Sequence, residues 1–144
     1  MRHKNLLLIF VIALIVVPCA GQDFVRMENI GPNVKYLNIL FVSNGNVTDT
    51  NQLPTVMVSL DSTSFEKFRG EVIRHLPNVQ DVQHPAFGCF EIEIKNDGRL
   101  TNRYLLNSDI SVPFFKKLLF SFKGSRLDKR IMETVDMYIK QLGG

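Results

Sequence analysis

The sequence predicts an α+β fold: a mainly antiparallel sheet of about four strands with three helices, in the order ββαββαα. Three observations lead there. Residues 55–60 and 90–94 alternate apolar with other residues at the twofold period of a half-buried strand. Three later segments repeat apolar residues at helical spacing behind a capping residue. The triplet Asn96-Asp97-Gly98 joins two strand-like runs as a hairpin.

The elements follow in order. Residues 1–21 read as a secretory signal: Arg2, His3 and Lys4, then the apolar run Leu6 to Val17, then Pro18, Cys19, Ala20 and Gly21 at a cleavage point. The run is twelve residues, against the ~20 a membrane-spanning helix needs, so cleavage after Gly21 is expected rather than a retained anchor. Lipid attachment at Cys19 is not expected, because Pro18 occupies the place of a small residue. The predicted location is therefore secreted or periplasmic.

Residues 22–35 read as an irregular lead-in with a turn at Gly31-Pro32-Asn33, and residues 36–144 as one α+β domain. Tyr36 to Ser43 reads as a strand buried on both faces. A polar loop to Pro54 carries the sequon Asn46-Val47-Thr48, and Thr55 to Leu60 alternates as a second strand. Thr63-Ser64-Phe65-Glu66 has the form of a capping box, with Phe65, Phe68, Val72 and Leu76 on the apolar stripe behind it.

The hairpin runs from Phe87 to Leu106. A three-residue turn would set Phe90 opposite Tyr104, Ile94 opposite Leu100 and Glu91 opposite Arg103. Ser111 is expected to cap the next helix, with Pro113 in its first turn and Gly124 at its stop. Ser125-Arg126-Leu127-Asp128 is expected to open the last, whose stripe is Leu127, Ile131, Val135, Tyr138 and Leu142. The closing Gly143-Gly144 reads as helix-ending glycine.

Charge narrows the partner. The chain has 17 Lys+Arg against 14 Asp+Glu. Arg2 and Lys4 leave with the signal, so 15 face 14 and the net is +1. The basic balance belongs mostly to the export segment, and nucleic acid is not an expected partner. What remains is asymmetric: residues 22–98 carry six Lys+Arg against ten Asp+Glu, and residues 99–144 carry nine against four.

No residue set announces chemistry. His75, His84 and Cys89 lack the paired spacing of a metal site, so neither a metal nor a cofactor is expected. Glu91 and Glu93 share a strand face, as alternation produces in any half-exposed strand, and with Arg103 opposite they read as a solvated face. No Ser/His/Asp set or phosphate-cradling glycine loop is visible, and no catalytic residue is assigned. Cys89 is the one thiol left after cleavage, a candidate free thiol that reads as a small buried filler.

The C-terminal helices are the more informative feature. Phe114, Phe115, Leu118, Leu119 and Phe122 share one arc of a helical wheel, and Phe120 falls opposite among Lys116, Lys117 and Lys123. The ordinary account has the last helix fold back over Phe120, since a large apolar side chain usually has cover. The functional account makes Lys116, Lys117, Phe120, Lys123, Lys129 and Arg130 an interaction surface.

The run Gly88-Cys89-Phe90-Glu91-Ile92-Glu93-Ile94, with Asn96-Asp97-Gly98-Arg99-Leu100 after it, resembles a stretch of the thioredoxin-like selenoprotein W and T family. That family carries a G-x-F-E-(I/V) strand, a turn, a second strand and a closing helix. The likeness covers residues 56–123 in element order and 88–100 in letters. It implies a degenerate thioredoxin-like fold as the alternative, with His84-Pro85 near the cis-proline of that fold. The strand-to-helix turn that would hold the redox motif reads Asp61-Ser62-Thr63-Ser64, without cysteine, so dithiol exchange cannot occur there. In that alternative Cys89 alone would act, through a mixed disulfide. The leading expectation is an exported, non-catalytic binding domain whose partner is a protein, with an anionic membrane surface as the alternative.

Overall fold

The computed structural model describes residues 22–30, 39–45, 55–77 and 90–144. Five strands and three helices are built from them: β1 (Phe24–Asn29), β2 (Ile39–Asn44), β3 (Thr55–Leu60), α1 (Ser62–His75), β4 (Phe90–Asn96), β5 (Arg99–Leu106), α2 (Ser108–Ser121) and α3 (Lys129–Gln141). The fold is α+β, and from β2 onward the order is the expected ββαββαα.

Two features of the sheet differ from expectation. It has five strands in the order β3-β2-β1-β4-β5, and it is mixed, because β2 and β3 run parallel while every other pair is antiparallel. The extra strand comes from the stretch read as an irregular lead-in, and it is the middle one. In β1 only Val25 and Met27 supply inward apolar side chains, and Arg26 and Glu28 alternate with them. That is too weak a pattern to announce a strand. Hydrogen bonding to β2 on one side and β4 on the other makes it one.

Side chains of alternate positions then separate the two faces of the sheet. Val25, Met27, Leu40, Val42, Val56, Val58, Phe90, Ile92 and Ile94 belong to one continuous core with the helices. β2 is not buried on both faces as expected, because Ile39 and Phe41 are only half-buried while Leu40 and Val42 are fully so.

The hairpin reaches its register by a different route. The turn has two residues, Asp97 at φ 52° and Gly98 at φ 71°, both in the left-handed region that a type I′ turn requires. Such a turn alone would throw Arg103 opposite Ile92. One extra residue, Thr101, corrects this: Lys95 pairs with Leu100 and Ile94 with Asn102, so the strand bulges by one. Ile92 therefore faces Tyr104, Glu93 faces Arg103 and Phe90 faces Leu106, in place of the expected pairs.

Each helix starts one cap away from where the sequence pattern placed it. Asp61, not Thr63, caps α1, accepting from the Ser64 amide at 2.8 Å and from its hydroxyl at 2.9 Å. α2 begins behind Asn107, and Ser111 lies buried in its first turn, donating to the carbonyls of Asn107 (2.7 Å) and Leu106 (3.1 Å). Asp128 rather than Ser125 caps α3, accepting from the Arg130 amide at 2.9 Å.

The helices bury Phe65, Phe68 and Val72 from α1, Phe114, Phe115 and Leu118 from α2, and Ile131, Val135, Tyr138 and Ile139 from α3. Each such side chain gains ~1.5–3 kcal/mol over remaining exposed. The centre is aromatic. Phe90 meets Phe115 edge-on at 4.9 Å and Tyr138 at 4.7 Å, and Phe115 and Tyr138 lie 5.4 Å apart. This triangle fixes α2 and α3 against β4, and so decides which face of α2 is left outside.

Candidate functional site

With Phe114, Phe115, Leu118 and Phe122 turned inward, the helical period sends Pro113, Lys116, Lys117, Phe120 and Lys123 to one outward arc. Phe120 is 76% exposed. The expectation that α3 would cover it is thereby overturned: α3 packs against the flank of α2 that carries Phe115, and its own apolar stripe is consumed there and on the sheet.

The six residues expected to form this surface divide into two groups. Lys116, Lys117, Phe120 and Lys123 stand together, exposed, and the three lysines have no acidic partner among the described residues. Lys129 and Arg130 are engaged elsewhere. Lys129 reaches Glu133 one turn on, at 3.3 Å, and Arg130 holds Asp128 through Nε at 3.1 Å and Nη2 at 2.8 Å. They support the start of α3.

Two further cations lie apart from this group, at a cleft. A cleft of about 160 Å³ lies at the C-terminal end of α2, lined by Ser64, Lys67, Phe122, Ser125, Arg126 and Leu127. Lys67, on α1, comes from a sequence segment of net negative charge, so linear reading gave no reason to group it with the C-terminal cations. Neither Lys67 nor Arg126 has an acidic partner among the described residues. Elsewhere the bases are matched: Arg69 contacts Asp23 and Glu66, Arg74 contacts Glu71, and Lys140 lies 2.9 Å from Asp136.

A second cluster lies on the sheet face turned away from the core. Arg103 grips Glu91 with two hydrogen bonds, Nε to Oε1 at 2.9 Å and Nη2 to Oε2 at 2.8 Å. Arg26 pairs with Glu28 and lies 3.9 Å from Glu91. Glu91 is buried, not solvated as the strand pattern suggested. The Arg103 hydrogen bonds hold its carboxyl below the ordinary glutamate range, whereas Glu93 is pushed up by its hydrogen bond to Glu91 and by burial. Opposed titration of paired carboxylates is a recognised mark of acid–base sites. Here Glu91 is engaged by Arg103 through both oxygens and also by Glu93 and Arg26, so the cluster forms a charge ladder across β1, β4 and β5.

The tertiary structure also assembles a serine, a histidine and a carboxylate that no spacing revealed. His75 Nε2 lies 2.6 Å from Ser121 Oγ and 3.3 Å from Glu71 Oε2. A nucleophile relay needs serine on one ring nitrogen and the carboxylate on the other. Both contacts fall on the same nitrogen, so the group serves as a tie between α1 and α2.

Cys89, His84 and the sequon at Asn46 lie outside the described residues, as does the expected signal. Among the described residues no group of three His, Cys, Asp or Glu side chains is placed to hold a metal ion, and no helix is long and apolar enough to cross a membrane. No protein-family model matches the chain, and comparison with curated proteins and with solved structures finds no match.

Proposed function

We propose that this chain is an exported, non-catalytic interaction domain that docks through the outward face of α2. The observation that carries this reading is Phe120, 76% exposed among three lysines that have no acidic partner among the described residues. A large ring in water is unfavourable by most of its transfer free energy, and unpaired like charges beside it repel one another. Both costs are relieved when an anionic partner closes over the face. The inner arc of the same helix supplies the rigidity such a surface needs, since Phe114, Phe115 and Leu118 are locked into the core.

Export rests on the signal pattern at the N-terminus of the sequence, and Edman sequencing of the purified protein tests it. Gln22 is the expected first residue; a soluble cytoplasmic product beginning at Met1 would refute export. For docking, the triple substitution Lys116→Glu, Lys117→Glu and Lys123→Glu should abolish capture of polyanionic partners while the circular dichroism spectrum stays unchanged. Retained capture would refute the reading.

A further inference from the structure

We infer that the occupant of this face is an anionic lipid surface rather than a protein; this deepens the docking reading and rests on it. The first argument is composition. Protein-binding surfaces centre on clustered aromatic, methionine and arginine side chains, and lysine is depleted there. The α2 face has the reverse make-up: three lysines around a single ring. Among the described residues the other large apolar side chain exposed to solvent is Ile73, on a different helix. One ring cannot form the apolar centre of an interface that must bury ~800 Å² on each partner.

The second argument is shape. Phe120 stands on the outward side of a helix, and the described residues around it form no groove that could grip an extended peptide or receive a partner's helix. A convex helix face meets a flat deformable surface well. The phenyl ring then enters the boundary between headgroups and acyl chains, and the lysine stems lie along it with their ammonium groups at the phosphates. Asp109 and Pro113 occupy the N-terminal part of the same arc, so the positive charge concentrates at the end bearing Phe120. Three lysines without acidic partners among the described residues thus share one outward arc with the ring, which is the complement of a polyanionic sheet and not of a single acidic side chain.

Co-sedimentation of the full chain with lipid vesicles tests this. Vesicles containing phosphatidylglycerol should pull the protein down, and vesicles of phosphatidylcholine alone should not. Each lysine near an anionic surface changes partitioning roughly fivefold, so removing three should cost roughly a hundredfold, and the charge-reversing triple Lys→Glu variant should lose more than that. Phe120→Ala should lose about tenfold, the worth of one buried ring. All variants carry the same N-terminal sequence and change exposed side chains, so differences between them report on the α2 face, with circular dichroism confirming folding. Phosphatidylglycerol binding that neither variant alters would overturn the inference. If vesicles fail to bind and soluble polyglutamate binds through the same three lysines, the lipid assignment falls and the docking reading survives. If neither probe binds, both fall.

Discussion

Glu91 and Glu93 stand two residues apart on one strand and titrate in opposite directions, and the sign of each shift sets what its removal should do. Glu91 is held ionised by Arg103. Its contribution to stability is present above the free glutamate value of about pH 4.3 and is lost as pH falls through its lower folded value. Glu93 is raised by its neighbour, so its contribution is present below that free value and is lost as pH rises through the folded one. At neutral pH the two therefore have opposite worth. Glu91→Gln should lower the melting temperature there and flatten the acid limb of the stability curve. Glu93→Gln should leave the melting temperature unchanged or raise it. Thermal melts of both variants across the acid range check this, and the reverse ranking would refute the charge ladder.

The caps and the hairpin show how one element is fixed by its ends. Thr63 fits a capping box on paper, yet Asp61 sits two residues earlier and carries the bonds to Ser64. Asp61→Ala should lower the melting temperature, and Thr63→Ala should be close to neutral. In the hairpin, Thr101 is the residue without an opposite number, and the pairs on either side of it, Lys95 with Leu100 and Ile94 with Asn102, are adjacent on β4. Deleting Thr101 would bring Leu100 and Asn102 together and leave those pairs intact, so the chain should still fold. Hydrogen-exchange protection at β4 and β5 reads the outcome. Insertion of one glycine after Arg103 should instead unfold the hairpin, since Leu106 would leave the core face.

Across the whole molecule, the helix layer is pinned to the sheet at its centre. Tyr138 of α3 is wholly buried, and its hydroxyl donates to the Met27 carbonyl of β1 at 3.3 Å, while burial pushes its phenol well above the ordinary range. Tyr138→Phe should cost ~0.5–1.5 kcal/mol, the worth of one hydrogen bond. Phe115→Ala, which opens the aromatic triangle, should cost ~3–5 kcal/mol. Phe120→Ala should fall within about 0.5 kcal/mol of the parent, as for a side chain outside the core. Urea denaturation measures all three. A large loss at Phe120 would mean that the ring is covered after all, and the proposed docking face would go with it.

Read alone, the sequence determined the α+β class, the helices and strands with strong periodicity, the inward stripe of each helix, and the arc on which Phe120 meets Lys116, Lys117 and Lys123. Those features depend on spacing along one chain segment, which periodicity reports directly. Tertiary structure decided the rest. β1 became a strand because two neighbours hydrogen-bond it, the hairpin kept its sidedness through a bulge, and the parallel pairing of β2 and β3 made the sheet mixed. The exposure of Phe120, the pairing of Lys129 and Arg130 with their own helix, and the arrival of Lys67 beside Arg126 were decided the same way. Each depends on which segments meet, and the free energy of meeting is shared between residues far apart in the chain.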